Sequence, residues 1–194
     1  RADAVIAVSQ AMVDDLVPRI GLLPDRVRVI RNPVVTPALS DLAAAPSPHP
    51  WLEEGVPVIV GMGRFTRQKD FPTLLRAFAR LCQDAPARLV LLGDGAGRNA
   101  CAQLAHELGI AERVLLPGFA VNPYAWLARA RLFVLSSRWE GSPNALAEAL
   151  ALGVPCVATD CLSGPRELLA DGRYGPLVSV GDAPGLADAM RATL

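Results

Sequence analysis

Two carboxylates, Glu140 and Glu148, fall within one stretch, Ser137-Arg138-Trp139-Glu140-Gly141-Ser142-Pro143-Asn144-Ala145-Leu146-Ala147-Glu148. An apolar run, Leu132–Leu135, leads into it as a strand, and a loop carries Glu140 and Gly141. Ser142 followed by Pro143 reads as the cap and first residue of a helix. The first free N–H groups of such a helix, together with its dipole, make an anion site suited to phosphate. Glu148 then stands about 7 Å along the axis from Pro143. Its side chain leans back toward the N-terminus, on the face of Asn144 and Ala145 and opposite Leu146 and Leu150. A carboxylate one turn from a diphosphate is placed to accept both hydroxyls of a ribose, while Glu140 faces whatever lies beyond the phosphates. Either glutamate alone would pass for an ordinary surface charge. The pair in one strand–loop–helix unit points to a nucleotide diphosphate.

The matching cations stand earlier in the chain. Gly63-Arg64-Phe65-Thr66-Arg67-Gln68-Lys69-Asp70 leaves the carboxyl end of an apolar run, Val58–Val60, and enters a helix for which Asp70 is the expected cap. Lys69 is the sole lysine; the other eighteen of the nineteen basic residues are arginine. Where arginine is the routine cation, a single lysine invites a specific explanation. Arg64 supplies a planar fork and Lys69 a compact point charge, a combination that neutralises a diphosphate. Arg67 is expected to face solvent. A second glycine cluster, Gly93-Asp94-Gly95-Ala96-Gly97-Arg98, follows the run Leu89–Leu92. It fails the dinucleotide fingerprint, because Arg98 occupies the third glycine's place and no acidic residue closes the next strand. A structural turn is the preferred reading. No Walker sequence and no D-x-D metal motif occurs.

These groups need a frame to bring them together. From residue 57 onward, short apolar runs alternate with helix-spaced segments. Val58–Val60, Leu89–Leu92, Val114–Leu116, Leu132–Leu135, Pro155–Ala158 and Leu177–Val180 are nearly continuous hydrophobic stretches, as expected of parallel strands buried on both faces. Leu74, Phe78 and Leu81 form one helical stripe; Cys101, Leu104, Ala105 and Leu108 form another. Gly164 before Pro165, with Glu167 at the third position, and Asp182 before the last helix are further caps. Right-handed βα repeats of this kind stack into a doubly wound parallel sheet, a Rossmann-like α/β fold whose ligands bind beyond the carboxyl ends of the strands. The front of the chain differs. Ala4–Val8 and Val27–Arg31 read as strands around a helix at Gln10–Val17 capped by Ser9, and residues 32–55 are rich in Pro, Ala and Ser. Three parts are expected: 1–35 as the tail of a preceding domain, 36–56 as a linker, and 57–194 as the nucleotide-binding domain.

Composition sets the outer bounds. The 194 residues are 52% hydrophobic and carry no net charge, which argues against a nucleic-acid partner. No apolar run is long enough to span a bilayer, so the cytoplasm is the expected place. Cys82, Cys101, Cys156 and Cys161 lack metal-ligand spacing and read as small core residues of a reducing compartment. His49 and His106 read as surface residues. The arginine and alanine bias suits a GC-rich bacterium.

Residues Glu140 to Glu148 resemble the E-x7-E motif of retaining GT-B glycosyltransferases, the group 1 type often called family 4. Gly63-Arg64 to Lys69 resembles that family's G-R-x4-K loop, Gly93-Asp94-Gly95 its GDG turn, and Pro117-Gly118-Phe119 its base-side loop. Ser163-Gly164-Pro165-Arg166-Glu167, with Asp171-Gly172 and Gly175, resembles its late helix and glycine loop, while Ala2–Ser9 and Ile30-Arg31-Asn32-Pro33 resemble the end of its N-terminal domain. The resemblance implies the C-terminal half of a GT-B fold. It implies that Gly63, Arg64 and Lys69 hold the donor diphosphate, Arg64 and Lys69 assisting its departure. Glu148 would grip the ribose, and Glu140 would act catalytically on the transferred sugar. Gly141, Ser142 and Pro143 would line the donor site, amides near Asn144, Ala145 and Leu146 would bind sugar hydroxyls or phosphate, and Phe119, Ala120 and Val121 would lie against the base. The implied substrate is a nucleoside-diphosphate sugar, UDP-sugar being favoured, with no cofactor and no metal. The implied partner is the N-terminal domain of the same protein, and surface-glycan synthesis would put the full enzyme at the inner face of the membrane. An epimerase of the same architecture and a non-catalytic nucleotide-sugar-binding module are the alternatives.

Overall fold

The computed structural model describes residues 3–194; Arg1 and Ala2, at the head of the expected 1–35 segment, lie outside the described residues. The chain builds two parallel sheets. The smaller pairs β1 (Val5–Ala7) with β2 (Val27–Val29) around helix α1 (Gln10–Ile20). Ser9 caps α1 as its side chain predicts, its Oγ accepting from the Met12 amide at 3.3 Å.

The larger sheet contains β3 (Val58–Met62), β4 (Arg88–Leu92), β5 (Val114–Gly118), β6 (Leu132–Leu135), β7 (Cys156–Thr159) and β8 (Leu177–Val178) in the order β5-β4-β3-β6-β7-β8. Every pairing is parallel. The chain winds outward from β3 to β5, then returns to lay β6 beside β3 and winds outward the other way. The reversal puts the topological switch point between β3 and β6, where open α/β sheets bind ligands. Helices α3 (Phe71–Leu81), α4 (Arg98–Glu107) and α8 (Ala183–Thr193) cover one face, with Leu74, Phe78, Leu89, Leu91 and Met190 in its core. The other face packs α5 (Tyr124–Leu127) and α6 (Asn144–Ala151), with Val60, Val90, Trp126, Phe133 and Leu146 in its core. Alternate strand residues therefore enter opposite cores, which is why the strands read as unbroken apolar runs. Helix α7 (Pro165–Leu168) bridges β7 and β8.

Residues 36–56, expected as a linker, dock on the second face. Helix α2 (Ala38–Ala43) buries Leu39, and its last carbonyls accept from residues flanking α5: Leu42 from Asn122 Nδ2 at 2.8 Å, Ala43 from Arg129 at 3.2 Å. His49, expected on the surface, is half-buried; it stacks on Trp126 at 6.0 Å and accepts the Trp51 amide through Nδ1 at 3.2 Å. Distant donors and a few apolar anchors, Leu39, Trp51 and Leu52, hold the segment. Cys101, Cys156 and Cys161 are buried, and burial pushes the thiols of Cys156 and Cys161 up to about 12 and about 11. No metal-binding cluster occurs among the described residues.

The glycine cluster after β4 is a packing device. Gly93 sits at φ 130°, and a Cβ there would lie 2.1 Å from the Gly63 carbonyl oxygen; one on Gly95 would lie 2.9 Å from the Phe65 amide nitrogen. The loops after β3 and β4 press backbone to backbone, Phe65 N–H donating to the Asp94 carbonyl at 2.9 Å. Arg98, in the place of the missing third glycine, donates to the Leu116 carbonyl at 2.5 Å. Gly93→Ala is therefore expected to cost about 2–4 kcal/mol in urea denaturation, through strain and backbone displacement. Gly109→Ala, at φ 69° with nothing within 4 Å, is expected to cost only about 1–2 kcal/mol.

Candidate functional site

The loops after β3 and β6 meet at the switch point. Arg138 N–H donates to the Gln68 carbonyl at 2.7 Å, Gln68 Nε2 to the Trp139 carbonyl at 3.0 Å, and Ser136 Oγ to the Lys69 carbonyl at 2.7 Å. This stitching brings Lys69 Nζ to Glu140 Oε1 at 2.5 Å, with the two side chains 17% and 6% exposed. Lys69 reaches that point by folding over Gly63, where a Cβ would meet its side-chain carbons at 2.7 Å. The sequence places Lys69 beside Arg64 on a diphosphate and Glu140 beyond it; in the structure Lys69 is joined to Glu140 itself.

Asp70 stands at the cap position of α3, but its side chain accepts no amide of the helix. It adopts a left-handed conformation at φ 46°, accepts from Thr73 Oγ1 at 2.9 Å and pairs with Arg138 Nε at 3.0 Å. The carboxylate is spent bracing the two loops, and the Thr73 N–H donates to the Asp70 carbonyl at 3.0 Å. The start of α6 also shifts. Pro143 is the cap and Asn144 the first helical residue, with no side-chain cap bond from Ser142. Leu146, expected among the amide donors, is withdrawn: its N–H donates to the Pro143 carbonyl at 3.0 Å and its side chain is buried in the core. The amides of Asn144 and Ala145 meet no acceptor among the described residues. Gly164, at φ 91°, presses on the Pro143 ring, and Gly141 packs against Met12 of α1.

Gly63, Arg64, Phe119, Ala120, Val121 and Glu148 line one cleft of about 410 Å³, along with Asp94 and Pro123. Phe119 and Val121 form its open rim, 78% and 93% exposed. A hollow of about 560 Å³ lies between the starts of α3 and α4, but its Asp70 and Arg138 already neutralise one another. The smaller cleft holds Arg64, which forms no ion pair among the described residues, and lies beyond the carboxyl ends of β3, β4 and β5, beside α6.

Sequence reading misses Tyr124, whose hydroxyl donates to Glu148 Oε1 at 3.3 Å. Its only sequence signal is local: Asn122 before Pro123 is a turn former, and Asn122 Oδ1 accepts the Tyr124 amide at 3.2 Å. Ser137 and Thr159 are missed as well; nothing in their spacing relates them to Glu140. Burial pushes the Glu148 carboxyl above its usual range, and the Tyr124 hydrogen bond opposes that rise.

A carboxyl raised by folding holds its proton more tightly in the folded chain, so stability falls as pH rises from the unfolded value through the folded one. Glu148→Gln is therefore expected to have a higher urea midpoint than the parent at neutral pH, the gap closing below about pH 4. Tyr124→Phe removes a bond that favours the carboxylate and should move the Glu148 titration further up, as read by carboxyl NMR.

Residues 56–194 match the family described as glycosyl transferases group 1. The N-acetylgalactosamine-N,N'-diacetylbacillosaminyl-diphospho-undecaprenol 4-alpha-N-acetylgalactosaminyltransferase of Campylobacter jejuni is 32% identical over 199 residues, covering 100% of this chain and 51% of that protein. The lipopolysaccharide outer core galactosyltransferase WaaB in its apo form superposes with a TM-score of 0.76 at 28% identity, over 99% of this chain and 53% of that one. HepE of Anabaena, solved in complex with UDP and glucose, superposes with a TM-score of 0.80 at 25% identity, over 98% and 53%. The chain thus spans about half the length of the curated relatives it matches. On the family match, and with the six-stranded parallel sheet and the Lys69–Glu140 junction in place, the chain belongs to the group 1 glycosyltransferases.

Proposed function

We propose that this chain is the donor-binding part of a retaining glycosyltransferase that moves a sugar from a nucleoside-diphosphate sugar to an acceptor in bacterial surface-glycan synthesis. The observation that carries the reading is the convergence of Lys69, Glu140 and the open amides of Asn144 and Ala145 at the switch point, next to the cleft of Arg64 and Glu148. Glu148, steadied by Tyr124, accepts the ribose hydroxyls. Phe119, Ala120 and Val121 give the base an apolar rim. Arg64 and Lys69, with the amides of Gly141, Ser142, Asn144 and Ala145, surround the diphosphate. As the glycosidic bond breaks, charge gathers on the departing diphosphate, and fixed cations and amides stabilise it there. This work falls to side chains of the chain itself, so no metal is assigned to it. Glu140 faces the transferred sugar and accepts its hydroxyls.

UDP is the favoured nucleotide, supported by the UDP held by HepE of Anabaena. The relatives are about twice as long, which supports a second domain, with 1–35 belonging to it, as the source of the acceptor wall. No helix among the described residues is long and apolar enough to cross a membrane. We assign the protein to the cytoplasm, with the whole enzyme at the membrane's inner face, where a lipid-linked acceptor like that named for the Campylobacter relative would lie.

Calorimetric titration of UDP, GDP and ADP tests the donor site. UDP is expected to bind, and Lys69→Ala to weaken it about 10-fold to 100-fold, the worth of a charge-assisted hydrogen bond; failure of all three nucleotides to bind refutes the reading. A product assay is expected to find little or no sugar transfer by these 194 residues alone, and full transfer would refute the second-domain requirement.

A further inference from the structure

We infer that Ser137 is a positioning residue for Glu140, orienting its carboxylate so that Oε1 is committed to Lys69 and Oε2 is left for the transferred sugar. The inference rests on the donor-site reading above. Ser137 is fully buried, and its Oγ donates to Glu140 Oε1 at 2.6 Å. Lys69 Nζ donates to the same oxygen at 2.5 Å. Oε2 takes no hydrogen bond from the described residues and keeps contact with solvent. The carboxylate is held asymmetrically, one oxygen anchored and one presented.

The anchor is itself fixed. Thr159 Oγ1, at the end of β7, donates to the Ser137 carbonyl at 2.6 Å. Ser163 Oγ donates to the Glu140 carbonyl, also at 2.6 Å. Hydroxyls from three separate segments thus set the strand end, the loop backbone and the carboxylate. An ion pair alone cannot do this, because an ammonium is a point charge that accepts either carboxylate oxygen and either rotamer. The serine hydroxyl, fixed to a buried backbone, adds the direction.

Lys69 is the only lysine, so a chain labelled with nitrogen-15 lysine shows one ammonium signal, which reports on the Glu140 contact without any ligand. In Ser137→Ala the signal is expected to leave the parent position, as the ammonium exchanges between the two oxygens of a carboxylate no longer oriented, and Ser137→Thr, which keeps the hydroxyl, to restore it. Calorimetry is expected to show UDP affinity unchanged in Ser137→Ala but UDP-galactose and UDP-glucose bound about tenfold more weakly than by the parent. A lysine signal in Ser137→Ala that stays at the parent position overturns the inference, as does equal loss of UDP and UDP-sugar affinity, the mark of general loosening. If the parent binds no nucleotide, the donor-site reading fails on its own terms, and the lysine signal still decides whether Ser137 orients the pair.

Discussion

A lysine ammonium and a glutamate carboxylate in contact at 2.5 Å, both largely withdrawn from water, join loops 71 residues apart in sequence. Taking the two charges out of water costs several kcal/mol each, and their attraction recovers this only when geometry is good and the remaining hydrogen-bonding groups are satisfied. The neighbourhood meets those terms. Ser137 bonds the shared carboxylate oxygen, Ser136 bonds the Lys69 carbonyl, and the Asp70–Arg138 pair braces the same loops from behind. Removing either partner would strand a buried charge, so the pair constrains everything around it while contributing little net stability.

That constraint is supportable only because the sheet beneath it is rigid. Strands β3 and β6 are adjacent and buried on both faces, which holds the bases of the two loops at a set spacing. On the far side of β3, Gly93 and Gly95 let the following loop lie directly on residues 63–65, and the Lys69 side chain crosses Gly63 from above. The floor of the cleft is thus locked from both flanks. Its rim is not: Phe119 and Val121 project into solvent, and the amides of Asn144 and Ala145 are open. A fixed floor with an open rim suits a ligand gripped through its phosphates and covered from outside.

The head of the chain touches this arrangement at several points. Arg31 pairs with Glu167 of α7, Asn32 Nδ2 donates to Asn144 Oδ1 at 2.8 Å, and Met12 packs at Gly141. Glu167, which has the spacing of a capping residue, serves this cross-contact instead. Such contacts place residues from outside the large sheet at the very helix start whose amides face the cleft.

Much of this was legible in the sequence. Unbroken apolar runs mark strands buried on both faces, Ser9 and Asp182 cap as their side chains dictate, and the glycines after β4 make a turn and not a dinucleotide site. The residue types of the site were legible too, because a lone lysine among arginines and two glutamates around a helix start are local patterns. Pairing was not. That Lys69 lies on Glu140, that Asp70 braces Arg138, and that Tyr124 holds Glu148 are decided by strand order, whereas Leu146 bonding Pro143 and Ser137 bonding Glu140 are contacts over three residues that depend on the path of the loop. Sequence by itself determines what each segment is made of and which period it follows, since propensity and capping act within a few residues. Only the tertiary structure, by laying β6 against β3, decides which charges meet, because a hydrogen bond or ion pair depends on distances that no local pattern contains.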